Sequence, residues 1–386
     1  MTVPRSFAVA ALLLSAATFA STPVIPDPPT VAARAYVLMD YQTGELLAQE
    51  NAEERLGPSS LTKMMTSYVI GSQLKSGKIK LDDQVLVSEN AWAKNFPGSS
   101  LMFIKVGDYV SVDLLNRGII IQSGNDACVA MAEHIAGSEE AFAQLMNGYA
   151  QEIGMTGSNF MNSHGLPVEN HYTTAHDMAR LGTALIRDLP EEYAIYAEKS
   201  FEYNGITQMN RNLLLWDKSL NVDGIKTGHT SENGYSLVSS ATQGDMRLVA
   251  VVMGTTSEKA RKEESKKLLT WGFRFFETLV PYDAGHEFQQ SRVWFGSAKS
   301  VALGVDQQVA LTLPRGRGAD LKADFTLDSE LLAPLAKGQR VGTVRFYLDD
   351  KVVAEKPLVA LADVPEAGWL ARMWDHVVRF FTGLLG

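Results

Sequence analysis

The sequence predicts an α+β fold: an antiparallel sheet covered by helices, then a small all-β domain and a terminal amphipathic helix. Three observations carry this. Hairpin patterns stand near residues 35–50 and 235–254, at opposite ends of a stretch dominated by helical spacing. After Pro281 the pattern changes to short alternating runs separated by Gly, Pro and Asp. From Trp369 onward, apolar residues recur every three to four positions.

The elements follow in order. Arg5, the apolar run Phe7 to Leu14, and small residues ending in Thr18 and Ala20 read as a secretory signal over residues 1–20. Pro23 to Pro29 reads as an extended leader. A working domain is expected over residues 30–281. It opens with strands Ala35–Asp40 and Glu45–Glu50 around the turn Tyr41-Gln-Thr-Gly44. Helical patterns dominate 60–190, and a second hairpin joins Tyr235–Thr242 to Met246–Gly254. A helix is expected over Lys259–Leu279, with Leu268, Leu269, Phe275, Phe276 and Leu279 on its apolar side. Runs such as Val301-Ala-Leu, Val309-Ala-Leu-Thr-Leu and Val344-Arg-Phe-Tyr-Leu give a β-rich domain over 282–365.

In 366–386, Leu370, Met373, Trp374, Val377, Phe381 and Leu384 form one stripe, and Arg372, Asp375, His376 and Arg379 lie opposite. Those four ionisable groups argue against a bilayer span, so the expectation is a helix lying on a membrane surface. The predicted site of action is the periplasmic face of the cytoplasmic membrane.

Composition excludes several functions. The net charge is −9 over 386 residues and no basic block exists, which argues against nucleic-acid binding. A single cysteine, Cys128, permits no internal disulfide and reads as a small buried hydrophobe. Seven histidines include no His-x-x-x-His pair, and the spacing of His171 and His176 does not suit a shared helix face, so no metal is expected.

The chemistry rests on three short motifs. Ser60-Leu-Thr-Lys63 opens an apolar helical run containing Leu61, Met64, Met65, Tyr68 and Val69. There Ser60 meets the positive end of the helix dipole, and Lys63 lies one turn on, within reach of its hydroxyl. A serine needs a base to become nucleophilic, and a lysine is a base only when burial or nearby cations lower its pKa; Lys226 is one such cation. A second Ser-x-x-Lys, Ser72 and Lys75, falls at a frayed helix end beside Gly71 and Gly77. Ser123-Gly-Asn125 marks an inter-helical loop, with Ser123 placed to relay a proton and Asn125 to bind a carbonyl or hold Lys63. Taken alone, that motif reads as a helix cap with Asp126. Lys226-Thr-Gly228 follows a strand-like run, where a glycine lets extended substrate approach an edge strand and Thr227 and Lys226 face a carboxylate.

The segments Pro58-Ser-Ser-Leu-Thr-Lys-Met-Met-Thr66, Ser123-Gly-Asn-Asp-Ala-Cys128 and Asn221-Val-Asp-Gly-Ile-Lys-Thr-Gly-His-Thr230 together resemble the low-molecular-mass penicillin-binding proteins. Within these, the resemblance is to the serine-type D-alanyl-D-alanine carboxypeptidases. It runs through Ser265-Lys-Lys-Leu-Leu-Thr-Trp-Gly-Phe-Arg-Phe-Phe-Glu277 into the β-rich region and the tail, with Ser59 departing from the usual alanine. It implies a β-lactamase/transpeptidase-like fold, peptidoglycan pentapeptide as substrate and β-lactams as covalent inhibitors, with no cofactor. It further implies that Ser60 is acylated, Lys63 is general base and Ser123 passes the proton. Lys226, Asn125, Thr227, Gly228, His229 and Arg261 bind substrate, with the N–H groups of Ser60 and His229 as oxyanion hole. A β-lactamase or an endopeptidase shares these motifs. The β-rich region and tail point away from the first, and overall resemblance alone sets aside the second. The intact motif set argues against an idle scaffold.

Overall fold

A computed structural model describes residues 25–385; the signal read at 1–20 lies outside the described residues. Strands β1 (Ala35–Asp40) and β2 (Leu46–Glu50) form the first hairpin, turned by Asp40, whose Oδ1 accepts from Gln42 N at 2.8 Å. A single 3₁₀ turn, Ser59–Leu61, leads into α1 (Thr62–Lys75). Short strands β3 (Gln84–Leu86) and β4 (Tyr109–Ser111) then pair. Helix α2 (Val112–Arg117) continues through a wide turn, Gly118–Gln122, to Ser123. Helices α3 (Asn125–Ala136), α4 (Glu139–Glu152), α5 (Ala175–Asp188) and α6 (Pro190–Ala194) follow. The hairpin β5 (Ser200–Tyr203) and β6 (Ile206–Met209) precedes β7 (Asn221–Thr230), β8 (Gly234–Gln243), β9 (Met246–Thr255) and α7 (Glu258–Phe275).

The main sheet is antiparallel throughout, in the order β2-β1-β9-β8-β7, which leaves β7 at an edge. Strands β1 and β9 are apolar at nearly every position because both faces are covered, and β8, equally buried at its centre, carries Ser236, Ser239 and Ser240 among its apolar residues. Val37 and Met39 of β1, with Val249 and Val251 of β9, face the core built with α1, α3 and α5. Leu38, Leu248 and Val252 face α7 through Leu268 and Leu269. Gly272 of α7 lets the helix settle on the sheet, since a Cβ there would lie 2.6 Å from Leu248 Cδ1. Ser138, Thr174 and Ser257 cap α4, α5 and α7 by accepting from the backbone N–H three residues on.

The predicted helix Lys259–Leu279 ends earlier. Phe276–Tyr282 is strand β10, pairing with β13 (Val309–Pro314). The apolar residues after Phe275 suit either period, and the pairing partner decides for strand. The small β5–β6 and β3–β4 pairs interrupt regions read without strands, where few apolar residues mark an alternation. Beyond β10, β11 (Glu287–Trp294), β12 (Ser300–Gly304), β14 (Lys322–Leu327), β15 (Leu331–Leu332), β16 (Arg340–Leu348) and β17 (Lys351–Ala360) form a sheet in the order β14-β16-β17-β12-β11-β15. It packs on its own core, which includes Val301, Leu311, Val344, Phe346 and Leu358. Buried Asp40 of β1 ties the two regions by accepting from Thr278 Oγ1 at 2.5 Å and Thr312 Oγ1 at 2.9 Å.

Helix α8 (Trp369–Leu385) closes the chain. Trp369, Leu370, Trp374 and Phe380 are each more than 60% exposed, so the apolar stripe does not dock on the protein's own core. No described helix is long and apolar enough to cross a membrane.

Candidate active site

Ser60 sits in the 3₁₀ turn at the head of α1. The residue before it, Ser59, is held at φ +52°, a left-handed conformation that costs a non-glycine roughly 1–2 kcal/mol. Its surroundings hold it there. Gly165 (φ +93°) has no Cβ, and one placed there would collide with the Ser59 carbonyl. The Ser59 hydroxyl also points to Thr230 Oγ1, 3.4 Å away at the end of β7.

Lys63 is fully buried one turn on, with Nζ 3.2 Å from Ser60 Oγ, 2.7 Å from Asn125 Oδ1 and 2.6 Å from the His164 carbonyl. Burial first, and to a smaller extent the charge of Arg211, pull its pKa down to about 8. The cation expected to act on Lys63 was Lys226. Burial is the larger cause, and Lys226 is itself the group depressed, by burial and by the charge of Lys63. The spare Ser-x-x-Lys pair is used locally: Ser72 Oγ donates to Tyr68 O and Lys75 Nζ to Asp188 O.

The Ser123 loop is fixed from two sides. Ser123 adopts φ +69°, and Gly124 N donates to Gly118 O across the wide turn. Asp126 accepts from Ala127 N in the first turn of α3 at 3.0 Å, but does more than cap the helix. Its buried carboxylate also accepts from Met102 N at 2.9 Å, Phe103 N at 2.8 Å and Ile104 N at 3.2 Å, fastening the 102–104 loop to α3. Asn125 N donates to Ser100 O at 2.9 Å, which directs its side-chain oxygen at Lys63. The Ser123 hydroxyl is buried and has no hydrogen-bond partner among the described residues, an open valence at the cleft wall.

On the opposite wall, Lys226, Thr227, Gly228 and His229 belong to edge strand β7. A Cβ at Gly228 would lie 3.2 Å from Leu61 Cγ and from the Pro58 carbonyl. The glycine therefore admits the chain's own nucleophile turn against β7, not only an incoming substrate backbone. Lys226 is 3% exposed, and its nearest acceptor is the Thr227 carbonyl at 3.5 Å. Arg261, buried on the first turn of α7, donates to the Gly228 carbonyl at 3.2 Å and lies over the Tyr235 ring at 5.6 Å. His229 stacks on the same ring, with centroids 3.9 Å apart.

These walls enclose a cleft of about 520 Å³ lined by Ser60, Ser123, Asn125, Thr227, Gly228, His229 and Arg261. Of the residues singled out from sequence, Lys63 and Lys226 lie behind it, Lys63 touching Ser60 and Asn125. Sequence reading missed Arg211, an exposed cation on the cleft wall, and His164, which lines the cleft and supplies a Lys63 acceptor. The run Asn162-Ser-His-Gly-Leu-Pro167, dense in turn residues between helices, was the available signal. His171 belongs to the scaffold. Its Nδ1 accepts from Met161 N at 2.9 Å, so Nε2–H donates to Thr62 Oγ1 at 2.8 Å. His176 pairs with Glu53, and among the described residues no group of His, Cys, Asp and Glu is arranged to hold a metal ion.

The family described as D-alanyl-D-alanine carboxypeptidase matches residues 22–257, and the penicillin-binding protein 5 C-terminal domain matches 276–366. The chain belongs to the D-alanyl-D-alanine carboxypeptidase family. Within it, the chain is 54% identical to the D-alanyl-D-alanine carboxypeptidase DacA of Escherichia coli over 367 residues, 94% of this chain and 91% of the relative. It is 35% identical to DacF of Bacillus subtilis over 347 residues, 88% of this chain and 87% of that one. Penicillin-binding protein 5 from Haemophilus influenzae has the same fold, with a TM-score of 0.87, 52% identity, and coverage of 88% of this chain and 100% of that chain. The carboxypeptidase family thus accounts for both the catalytic region and the β-rich region after it.

Proposed function

We propose that the chain is a serine D-alanyl-D-alanine carboxypeptidase that removes the terminal D-alanine from peptidoglycan pentapeptide stems through an ester on Ser60. The observation that carries this is the contact set of Lys63. Two of its three partners, Asn125 Oδ1 and the His164 carbonyl, only accept hydrogen bonds. A neutral amine has two N–H bonds for these acceptors, which leaves its lone pair directed at the Ser60 hydroxyl proton.

The steps balance as follows. Ser60 Oγ adds to the penultimate D-alanine carbonyl as its proton passes to Lys63 Nζ. The oxyanion takes the N–H groups of Ser60 and His229, each donor worth about 3–4 kcal/mol in the transition state. The C–N bond breaks, and the leaving D-alanine nitrogen receives the proton from Lys63 through Ser123, whose open hydroxyl valence suits a relay. Water then attacks the ester, gives a proton to Lys63, and Ser60 Oγ leaves and recovers one. The substrate's terminal carboxylate is drawn by Thr227, Lys226 and Arg261, and Asn125 binds its amide. A β-lactam enters the same first half and stalls as the ester.

In this reading, residues 1–20 export the chain, 30–281 carry the reaction, 282–365 act as spacer or partner surface, and 366–386 lie on the periplasmic face of the cytoplasmic membrane. The exposed apolar stripe of α8 supports the last assignment. The test is release of free D-alanine from a pentapeptide by the full chain, with Ser60→Ala alongside. Release that vanishes in the variant supports the assignment. Rapid β-lactam turnover with no D-alanine would favour a β-lactamase instead.

A further inference from the structure

The polar side of α8 touches the β-rich region, with Asp375 partly buried there and His376 and Arg379 keeping one face exposed. Asp375 Oδ2 accepts from Phe295 N at 2.7 Å, and Arg292 Nη2 lies 3.6 Å from its other oxygen. The His376 ring packs on Phe295 with centroids 4.4 Å apart, and Arg379 pairs with Glu330 at 2.6 Å. Phe295 follows β11 at φ +61°, a left-handed conformation that persists only where its surroundings impose it; its N–H would lack a partner without Asp375. The segment entering α8 is held as well, with Ala367 N donating to Phe295 O at 2.8 Å and Ser297 N to Pro365 O at 2.8 Å.

We infer that Asp375, His376 and Arg379 clasp α8 to the end of β11 and to Glu330, so that the membrane helix is a rigid foot and not a flexible tether. This rests on the membrane-surface reading of α8. Because the clasped side and the lipid-facing side are opposite, the helix contributes a fixed plane to the β-rich region. The enzyme then stands over the bilayer in one posture, and the active-site cleft keeps one height and tilt. A free tether would let it sample many.

The full chain carrying Gln307→Cys, labelled with a fluorophore and bound to phosphatidylethanolamine/phosphatidylglycerol vesicles, tests this. Gln307 is exposed, whereas native Cys128 is buried. Time-resolved anisotropy is expected to show no nanosecond wobble of the β-rich region beyond the dye's own motion. In the vesicle-bound molecules, Asp375→Ala with Arg379→Glu introduces that wobble, and Arg379→Glu with Glu330→Arg, the swapped pair, removes it. Full wobble in the unaltered chain, or none in the broken-clasp variant, overturns the clasp alone. Failure of the unaltered chain to bind vesicles, including binding only to a second copy of itself, removes the membrane reading and the posture with it. Off the membrane, hydrogen exchange at the Phe295 amide should speed up by about tenfold or more in Asp375→Ala. Equal exchange in both chains contradicts the clasp.

Discussion

Lys63 Nζ stands 3.2 Å from Ser60 Oγ, with the Lys63 side chain fully buried behind the cleft. Burial holds its pKa near 8, so a usable fraction is already neutral at physiological pH. With Lys63 as the proposed base, the reactive form is the neutral one, which fixes the sign of the pH dependence. Acylation, read as kcat/KM or as the rate of penicillin capture, should rise about tenfold per pH unit below 8 and level off above it. Lys63→Ala should lower the plateau by roughly 10²–10⁴-fold. A profile already flat from pH 6 upward would show that another group is the base.

Gly228 presses the edge strand against the nucleophile turn. In Gly228→Ala the added methyl would meet Leu61, the Pro58 carbonyl and Ser59 Cβ at 3.2–3.3 Å, so the two walls must part by a few tenths of an ångström. Acylation should fall by up to roughly 10²-fold, because the proposed oxyanion donors, the N–H groups of Ser60 and His229, lie on both sides of that seam. The melting temperature should change little. A rate unchanged from the parent would mean that the seam relaxes without widening the site.

Asp126 is a structural carboxylate wired to three backbone N–H groups of the 102–104 loop. Asp126→Ala would strand those donors and should cost roughly 3–5 kcal/mol in denaturant unfolding. Part of that loss would appear as weaker penicillin capture, since Ser123 and Asn125 stand beside Asp126 at the start of α3. A loss below about 1 kcal/mol would contradict the role assigned here.

Two buried histidines make the fold acid-labile. Burial depresses His171 to about 4 and His164 to about 3, both below the free value of 6.5, so each stays neutral in the folded chain and charges on unfolding. Their contribution is complete above pH 6.5 and drains away as the pH falls toward 4. For His171 it amounts to about 3 kcal/mol. Urea midpoints measured from pH 7 to 4 should fall steeply, and His171→Gln should flatten that slope. Parallel slopes would remove the histidine from the account.

The lone cysteine should be slow to react. Cys128 is buried against the Gly124 carbonyl, and burial pushes its thiol up to about 12. Alkylation should be slow at pH 7 and accelerate about tenfold per pH unit. It should abolish penicillin capture in step with modification, because the reagent must displace the Ser123 loop. Full activity of a verifiably alkylated chain would contradict this.

Much of this was legible in the sequence, for physical reasons that differ by element. The hairpins of β1–β2 and β8–β9 announced themselves through turn residues between apolar runs, and Ser60 with Lys63 through one helical turn of spacing. What escaped depends on partners distant in sequence. The end of α7 at Phe275 is set by β13, and Asp126 serves a loop some twenty residues upstream as well as its own helix. Arg211 carries no local pattern, since only the folding of its loop onto the cleft gives it a role. The apolar stripe of α8 was plain, but that its polar residues face Phe295 and Glu330 could not be read from periodicity.

The central claim is that Ser60 is the atom acylated. Intact-mass analysis after brief exposure to penicillin, with peptide mapping and Ser60→Ala in parallel, tests it most directly. The account predicts one adduct, on the peptide containing Ser60, slow to clear and absent from the variant. An adduct on any other residue, or an equal adduct in Ser60→Ala, would contradict it.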